Sequence, residues 1–318
     1  MSVMERARKL AQQGKHREAV ASVGEAAEEG DIEALLTLAQ WKLFGLYGPR
    51  DLASAHQLLG RAAAGGSDEA ARTKALLIGN GTGCPSDPAR AKELLADLRG
   101  RDPFVALQLD LLPSMMEFET ALSLSAEELS EDPPVRIVRG LFVETECRYL
   151  MKLAEPALQP SSVIDPRTGR RIPHPVRTSA GMSFGPLEED LVVHAINRRL
   201  AAVTGTDVSW GEPLHILRYS PGQEYKPHID ALPAVDNQRE WTVLIYLNDG
   251  YEGGETLFTE LDVTARGKTG DALIFRNILR DGRSDGRTRH AGLPVAAGTK
   301  WLATRWIRGA PYSPWAGE

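Results

Sequence analysis

Along the first 110 residues, Ala, Leu and Glu recur in short runs punctuated by Gly14, Gly30, Gly45, Gly66 and Gly81, and β-branched residues are scarce. Strong helix formers between glycines predict a series of short helices. The apolar stretch FVALQLDLLPSMMEFETALSLS is broken by Pro113 and gives way to the acidic segment AEELSEDPP. That pattern predicts a bridging helix and then a linker over 111–134, ending at Pro133–Pro134. From Val135 the character changes. MKLAEPAL and EEDLVVHAINRRLAAVTG predict helices, whereas PLHILRYS, EYKPHID, WTVLIYLND, ETLF, DALIF, AGLPV and TKWLATRWI are β-branched, aromatic and short. Turn residues separate them, among them Asn248-Asp249-Gly250, Gly253-Gly254 and Ala297-Gly298. Short strands at this spacing predict a sandwich or barrel.

The helical part repeats. Sliding the sequence by 36 residues superimposes twelve positions of segment 30–59 on 66–95, including Gly30/Gly66, Ala34/Ala70, Gly45/Gly81, Pro49/Pro85, Asp51/Asp87 and Leu58/Leu94. The same shift maps Ala19 onto Ala55, so a half-repeat precedes them. Small residues let paired helices approach closely while leucines fill the seam. Over roughly residues 14–98 the pattern resembles the Sel-like branch of the tetratricopeptide family, whose helix-pair solenoids present a concave surface to protein partners. The resemblance implies a protein partner on the repeats. Two and a half repeats are also marginal alone, so a purely structural array packed on a neighbour is the other reading. The expected organisation is an α+β multidomain chain: a helical repeat domain at 1–110, the bridge at 111–134, a β-rich domain at 135–311 and a tail at 312–318.

Composition narrows the function. The chain has 318 residues, enough for two domains, and 37 Lys+Arg against 43 Asp+Glu give a net charge of −6. An acidic chain argues against a general nucleic-acid binder, because that affinity rests on neutralising phosphates. No apolar run approaches the length of a membrane span, and the first residues are charged from Glu5, so no membrane association and a cytoplasmic location are expected. Cys84 and Cys147 match no paired metal-ligand spacing and read as reduced bystanders.

The chemistry lies in short stretches of the β-rich part. In HILRYSPGQEYKPHIDALP, His228 and Asp230 are two apart in a segment that reads as a strand, where alternate residues project to one face. His290 follows in RTRHAGLPVAAGTKWLATRWIR. Two histidines and a carboxylate make the facial triad of non-haem Fe(II) oxygenases, which leaves three adjacent positions for a chelating co-substrate and dioxygen. With seven histidines in the chain, the triad alone is weak evidence. Lys300 strengthens it: it stands ten residues after His290, across the Ala297-Gly298 turn, and a buried lysine needs an anionic partner such as the far end of a dicarboxylate.

Residues 134–309 resemble the catalytic domain of the prolyl 4-hydroxylase-type Fe(II)/2-oxoglutarate dioxygenases. The runs that carry the resemblance are RTS (177–179), RYSPGQEYKPHID (218–230), YLNDGYEGGETLF (246–258), GDALIF (270–275) and the segment from His290 to Arg308. The resemblance implies a double-stranded β-helix (jelly roll), with Fe(II) on His228, Asp230 and His290 and 2-oxoglutarate on Lys300, Tyr219 and Thr256. It implies ascorbate as a reductant, and a substrate side at Tyr225, Arg239 and Trp306. Tyr219 and Trp306 also suit core aromatics, and Arg239 suits a solvated strand end. The implied activity is hydroxylation of a peptide or protein residue, proline foremost, with release of succinate and CO2.

Alternatives remain at this point. One is an oxygenase of a free amino acid or other small molecule, with repeats used only for assembly. Another is a non-catalytic interaction protein, which the intact triad and Lys300 argue against. A nucleic-acid demethylase fits poorly with an acidic chain and a lysine anchor. The Gly/Arg-rich segment RNILRDGRSDGRTRH (276–290) reads either as a basic lip selecting an acidic peptide or as a solvated loop, and SSVIDPRTGRRIPHPVRTS (161–179) reads as a second loop beside the channel.

Overall fold

The repeat seen in the sequence is a repeat of helix caps. The computed structural model describes residues 3–120, 125–164, 167 and 170–315. In it, α1 (Val3–Gln12), α2 (His16–Glu28), α3 (Ile32–Phe44), α4 (Leu52–Ala64), α5 (Asp68–Asn80) and α6 (Pro88–Ala96) follow one another through short turns. Gly45 and Gly81, one repeat apart, end α3 and α5 at φ 68° and 79°, a left-handed conformation that favours glycine. Asp51 and Asp87 start α4 and α6 by accepting from the backbone N–H of Ser54 and Arg90, each at 2.9 Å. The small residues do what their spacing implies. Ala34, Ala39, Ala55, Ala70, Ala75 and Ala91 are all fully buried where α3 meets α4 and α5 meets α6.

The segment between the helices and the β-rich part departs from expectation twice. Helix α7 (Pro103–Thr120) runs through Pro113 rather than stopping there. Burial of Val105, Leu109, Leu112 and Met115 holds it together where the proline removes one backbone donor. The acidic segment read as linker is a strand, β1 (Ala126–Glu131), paired with β2 (Pro134–Val138). It forms the sheet edge, with only one hydrogen-bonded neighbour, so its glutamates face outward; charge on an edge strand also discourages intermolecular pairing. Residues 121–124 lie outside the described set, as do 316–318 of the expected tail.

The remaining elements, in chain order, are α8 (Glu144–Ala154), β3 (Gln159–Pro160), β4 (Ser162–Ile164), β5 (Arg171–Pro173), β6 (Ala180–Ser183), α9 (Leu191–Thr204), β7 (His215–Tyr219), β8 (Tyr225–His228) and β9 (Arg239–Tyr246). They continue as β10 (Tyr251–Gly253), β11 (Thr256–Phe258), β12 (Val263–Ala265), β13 (Ala272–Arg276), β14 (His290–Gly292), β15 (Val295–Gly298) and β16 (Lys300–Arg308). The chain divides into two units: residues 1–113 with 186–194, and residues 114–185 with 195–316.

The second unit is a double-stranded β-helix. An antiparallel sheet in the order β1-β2-β13-β9-β16-β7-β6-β3 is accompanied by a smaller one, β12-β11-β14-β8. Alternation along the strands sends Leu217 and Tyr219, Leu244 and Tyr246, Leu273 and Phe275, and Leu302 into a shared core with Phe258 of the smaller sheet. The intervening residues Ile216, Val243, Ile245, Ile274 and Ala303 are also buried, on the opposite face.

Helices α8 and α9 are tied together by a buried ion pair. Arg199 Nη1 and Nη2 donate to the two carboxylate oxygens of Glu146 at 2.9 and 3.0 Å. Arg199→Leu leaves that carboxylate buried without its cation, and a loss of about 3–5 kcal/mol in urea unfolding is expected. A loss below 1 kcal/mol would show that the pair does not hold the helices.

Two loops flank this unit. The arms of segment 161–179 pair as β4 and β5, while 165–166 and 168–169 at its tip lie outside the described residues. Segment 276–290 folds back on itself through an Ile278–Ser284 bridge and a short 3-10 turn at Gly286–Thr288. No described helix is long and apolar enough to cross a membrane.

Candidate active site

Strand pairing builds the site from residues far apart in sequence. His228 ends β8 and His290 begins β14, and the two are direct cross-strand partners. Asp230 does not continue the strand as its spacing predicts; it lies in the bend just past it. That bend still returns its carboxylate to the histidines: Oδ1 is 3.6 Å from His228 Nε2, and Oδ2 is 3.8 Å from His290 Nε2. One ligand atom from each residue falls within 4.8 Å of the others.

The hydrogen bonds around the triad orient its two rings. His228 Nδ1 donates to Lys226 O at 2.9 Å and His290 Nδ1 to Thr288 O at 3.0 Å, which turns Nε2 of each ring toward the centre. Burial lowers His290 to about 4, with the Asp230 charge opposing, so its imidazole is neutral at physiological pH. Burial works against ionisation of Asp230. The imidazoles of His228 and His290 and the hydroxyl of Thr242 outweigh it and hold the carboxyl well below its usual range. Two imidazole nitrogens and one carboxylate, all converging, are the donor set that suits a divalent iron.

A narrow cleft extends from the triad to Lys300 and is also lined by Tyr219, Thr256, Tyr225 and Trp306. Lys300, at the start of β16, lies across from Tyr219 on β7 and is 3% exposed. Its ammonium donates to Gly254 O at 2.6 Å and lies about 6 Å from the rings of Tyr219, Tyr246 and Tyr251. Gly254 adopts φ 70°, and an added Cβ would stand 3.2 Å from Lys300 Cδ, so both the turn and the close approach call for glycine. Among the described residues no carboxylate lies within ion-pair distance of Lys300. Burial lowers it to about 8, with Glu255 opposing. Thr304 Oγ1 and Trp306 Nε1 also face this cleft without a partner. A dicarboxylate reaching from the triad to Lys300 fits these groups.

The substrate-side candidates divide. Tyr225 lines the cleft and stacks on His228 at 3.5 Å between ring centroids. Trp306 lines it as well. Arg239 is not among the lining residues, nor does it sit on a solvated strand end. Its guanidinium pairs with both oxygens of Glu212, at 2.6 and 2.7 Å, and stacks on Trp306 at 4.0 Å. Tyr219 is both core and site: burial pushes its hydroxyl up to about 12 while Arg177 and Ser179 oppose, and the side chain lines the cleft.

Sequence reasoning did not single out Arg177, which lines the cleft and lies over Tyr225 at 5.3 Å, although it heads the RTS run. Glu212, Thr242 and Asn277 carried no signal at all. Within the Arg-rich segment, Arg287 pairs with Asp285 and Asp132, Arg283 with Asp281, and Arg276 with Glu240.

Residues 214–308 match the model of the 2OG-Fe(II) oxygenase superfamily. Over 205 residues the chain is 37% identical to prolyl 4-hydroxylase 1 of Arabidopsis thaliana, an alignment spanning 58% of this chain and 72% of that protein. The chain belongs to the prolyl 4-hydroxylase family of 2OG-Fe(II) oxygenases. It is similarly 35% identical over 205 residues to prolyl 4-hydroxylase 5 of the same plant, covering 57% of this chain and 70% of the relative. Among solved structures, the viral collagen prolyl hydroxylase of Paramecium Bursaria Chlorella virus-1, in its 2OG complex, is 28% identical with a TM-score of 0.45. That match covers 55% of this chain and 96% of the viral one. Membership of this family makes the oxygenase dependent on Fe(II) and 2-oxoglutarate.

The state of Lys300 gives this oxygenase a pH signature. Only its cationic form could hold the far carboxylate of 2-oxoglutarate, and that form is lost as pH rises through about 8. The KM for 2-oxoglutarate is expected to rise roughly tenfold between pH 7 and pH 9. In Lys300→Arg, whose guanidinium stays charged, the profile should be flat; an equally steep rise there would locate the titration elsewhere.

Proposed function

We propose that the chain hydroxylates proline residues of a peptide or protein: one oxygen atom of dioxygen enters the proline C–H bond, and the other enters the succinate formed with CO2 from 2-oxoglutarate. The observation that carries this reading is the convergence of His228, Asp230 and His290 in a fold whose sequence is over one-third identical to prolyl 4-hydroxylase 1. Bound Fe(II) and 2-oxoglutarate supply the oxidising chemistry.

The residues of this chain bind, orient and exclude water. His228, Asp230 and His290 would hold the iron at the end of the cleft that runs to Lys300. Lys300 takes the far carboxylate of 2-oxoglutarate as a charge-assisted hydrogen bond, with the hydroxyls of Tyr219 and Thr256 beside it. Leu217, Leu244 and Leu302 line the same cleft and keep water from the co-substrate. Tyr225 and Trp306 form the wall that a proline ring would meet, and Glu212 holds Arg239 against Trp306 so that this wall does not swing. The helical repeats, in this reading, recruit the protein substrate by their packed helix pairs.

The test is product analysis. Protein purified without oxygen and loaded with Fe(II) is given 2-oxoglutarate, ascorbate and a panel of proline-containing peptides or free amino acids. Hydroxylated peptide, identified by mass spectrometry, with peptide-stimulated succinate release is the expected result. Stimulation by a free amino acid alone would refute peptidyl hydroxylation. For the repeats, the KM for an intact protein substrate is expected to be at least several-fold below that of the peptide cut from it; equal values would remove their recruiting role.

A further inference from the structure

We propose that Thr242 and Asn277 are positioning residues that act through Asp230, forming a buried one-way hydrogen-bond relay that commits one carboxylate oxygen and leaves the other to the metal. The proposal rests on the reading of Asp230 as an iron ligand. Thr242 Oγ1 donates to Asp230 Oδ2 at 2.7 Å, and Asn277 Nδ2 donates to Thr242 Oγ1 at 2.8 Å. Both side chains are fully buried.

The direction of the relay follows from the donor inventory. An amide nitrogen only donates, so Asn277 fills an acceptor position on the Thr242 oxygen and leaves the single hydroxyl proton for Asp230. Turning the amide over would set two acceptors against that one proton. The carboxylate then carries a donor on Oδ2, which disfavours two-oxygen chelation and preserves open coordination positions.

The relay is also anchored. Thr242 sits in β9 opposite Phe275 of β13. Asn277 follows β13, and its backbone is held on both sides: its N–H donates to Glu240 O at 2.8 Å, and its carbonyl accepts from Asp285 N at 2.9 Å. The backbone that carries Asn277 cannot shift without undoing the base of the 276–290 segment.

Co(II) is the probe, because it suits nitrogen and oxygen donors and its visible absorption reports the ligand arrangement. Titrations of the full chain compare wild type, Asp230→Asn, Thr242→Val, Thr242→Ser and Asn277→Leu, with thermal melting of the metal-free proteins as the folding control. Thr242→Val keeps shape and loses the donor; Co(II) affinity is expected to fall roughly 10- to 100-fold, with an altered spectrum. Thr242→Ser keeps the hydroxyl and is expected to restore both. Asn277→Leu is expected to weaken binding by roughly threefold or more, since the hydroxyl loses its orienting donor.

Wild-type affinity and spectrum in Thr242→Val overturn the relay. If that variant does not fold, Asn277→Leu decides, and wild-type binding there overturns it equally. Asp230→Asn separates the two claims. Unchanged Co(II) binding in Asp230→Asn refutes the metal site itself, and the relay with it. Loss there beside wild-type binding in Thr242→Val refutes the relay alone.

Discussion

Asp230→Asn is expected to abolish turnover while leaving the fold intact. The substitution keeps the side-chain shape but removes the only carboxylate of a centre whose other two donors are imidazole nitrogens. One elementary charge at about 4 Å is worth roughly 4 kcal/mol at an effective dielectric near 20, and more against a divalent ion. A fall in Fe(II) affinity of roughly 10³-fold or more is therefore expected. Isothermal titration with Fe(II) under nitrogen, beside thermal melting of the metal-free protein, checks both halves. Retained Fe(II) affinity in a folded variant would show that iron is held elsewhere.

Lys300→Met is expected to separate co-substrate binding from metal binding. Methionine approximates the length of the lysine stem, so packing against Tyr219, Tyr246 and Tyr251 is largely kept while the charge is lost. Any dicarboxylate that enters must then bury one end unpaired. Breaking a buried pair this way costs about 3 kcal/mol or more, so the KM for 2-oxoglutarate should rise roughly 150-fold or more. Fe(II) affinity should stay near wild type, because Lys300 bonds to Gly254 O and not to a triad residue. A KM within a few-fold of wild type would place the distal carboxylate on other residues. A parallel loss of iron would point to collapse of the cleft.

What could be read in the sequence was whatever local chemistry marks by itself. Asp51 and Asp87, Gly45 and Gly81 announce helix starts and ends because capping and left-handed backbone restrict residue choice. The alternating strands β7, β9, β13 and β16 announce themselves for a similar reason: each buries both faces or one. His228, Asp230, His290 and Lys300 stand out as residue types that fit one chemistry. Strand β1 could not be read, since an edge strand needs no apolar face and Glu127, Glu128 and Glu131 suit it as well as they suit a linker. Nor could the run of α7 through Pro113, which depends on burial of its neighbours.

The supporting groups of the site were hidden for a topological reason. Glu212 meets Arg239, and Asn277 meets Thr242, only after β9 has paired with β13 and β16. Nothing within a few residues of any of them records that adjacency. Arg239 illustrates the limit from the other side: its position was marked, but its partner was not, so a clamped residue beside Trp306 looked like a strand end.

The most direct test is to run the reaction under dioxygen labelled with heavy oxygen and follow both atoms. With Fe(II), 2-oxoglutarate and a proline-containing peptide, one heavy atom is expected in hydroxyproline and one in succinate, in equal amounts. Both should vanish in Asp230→Asn. Heavy oxygen in succinate at the same rate with or without peptide, and none in proline across the panel, would contradict peptidyl-proline hydroxylation by this chain.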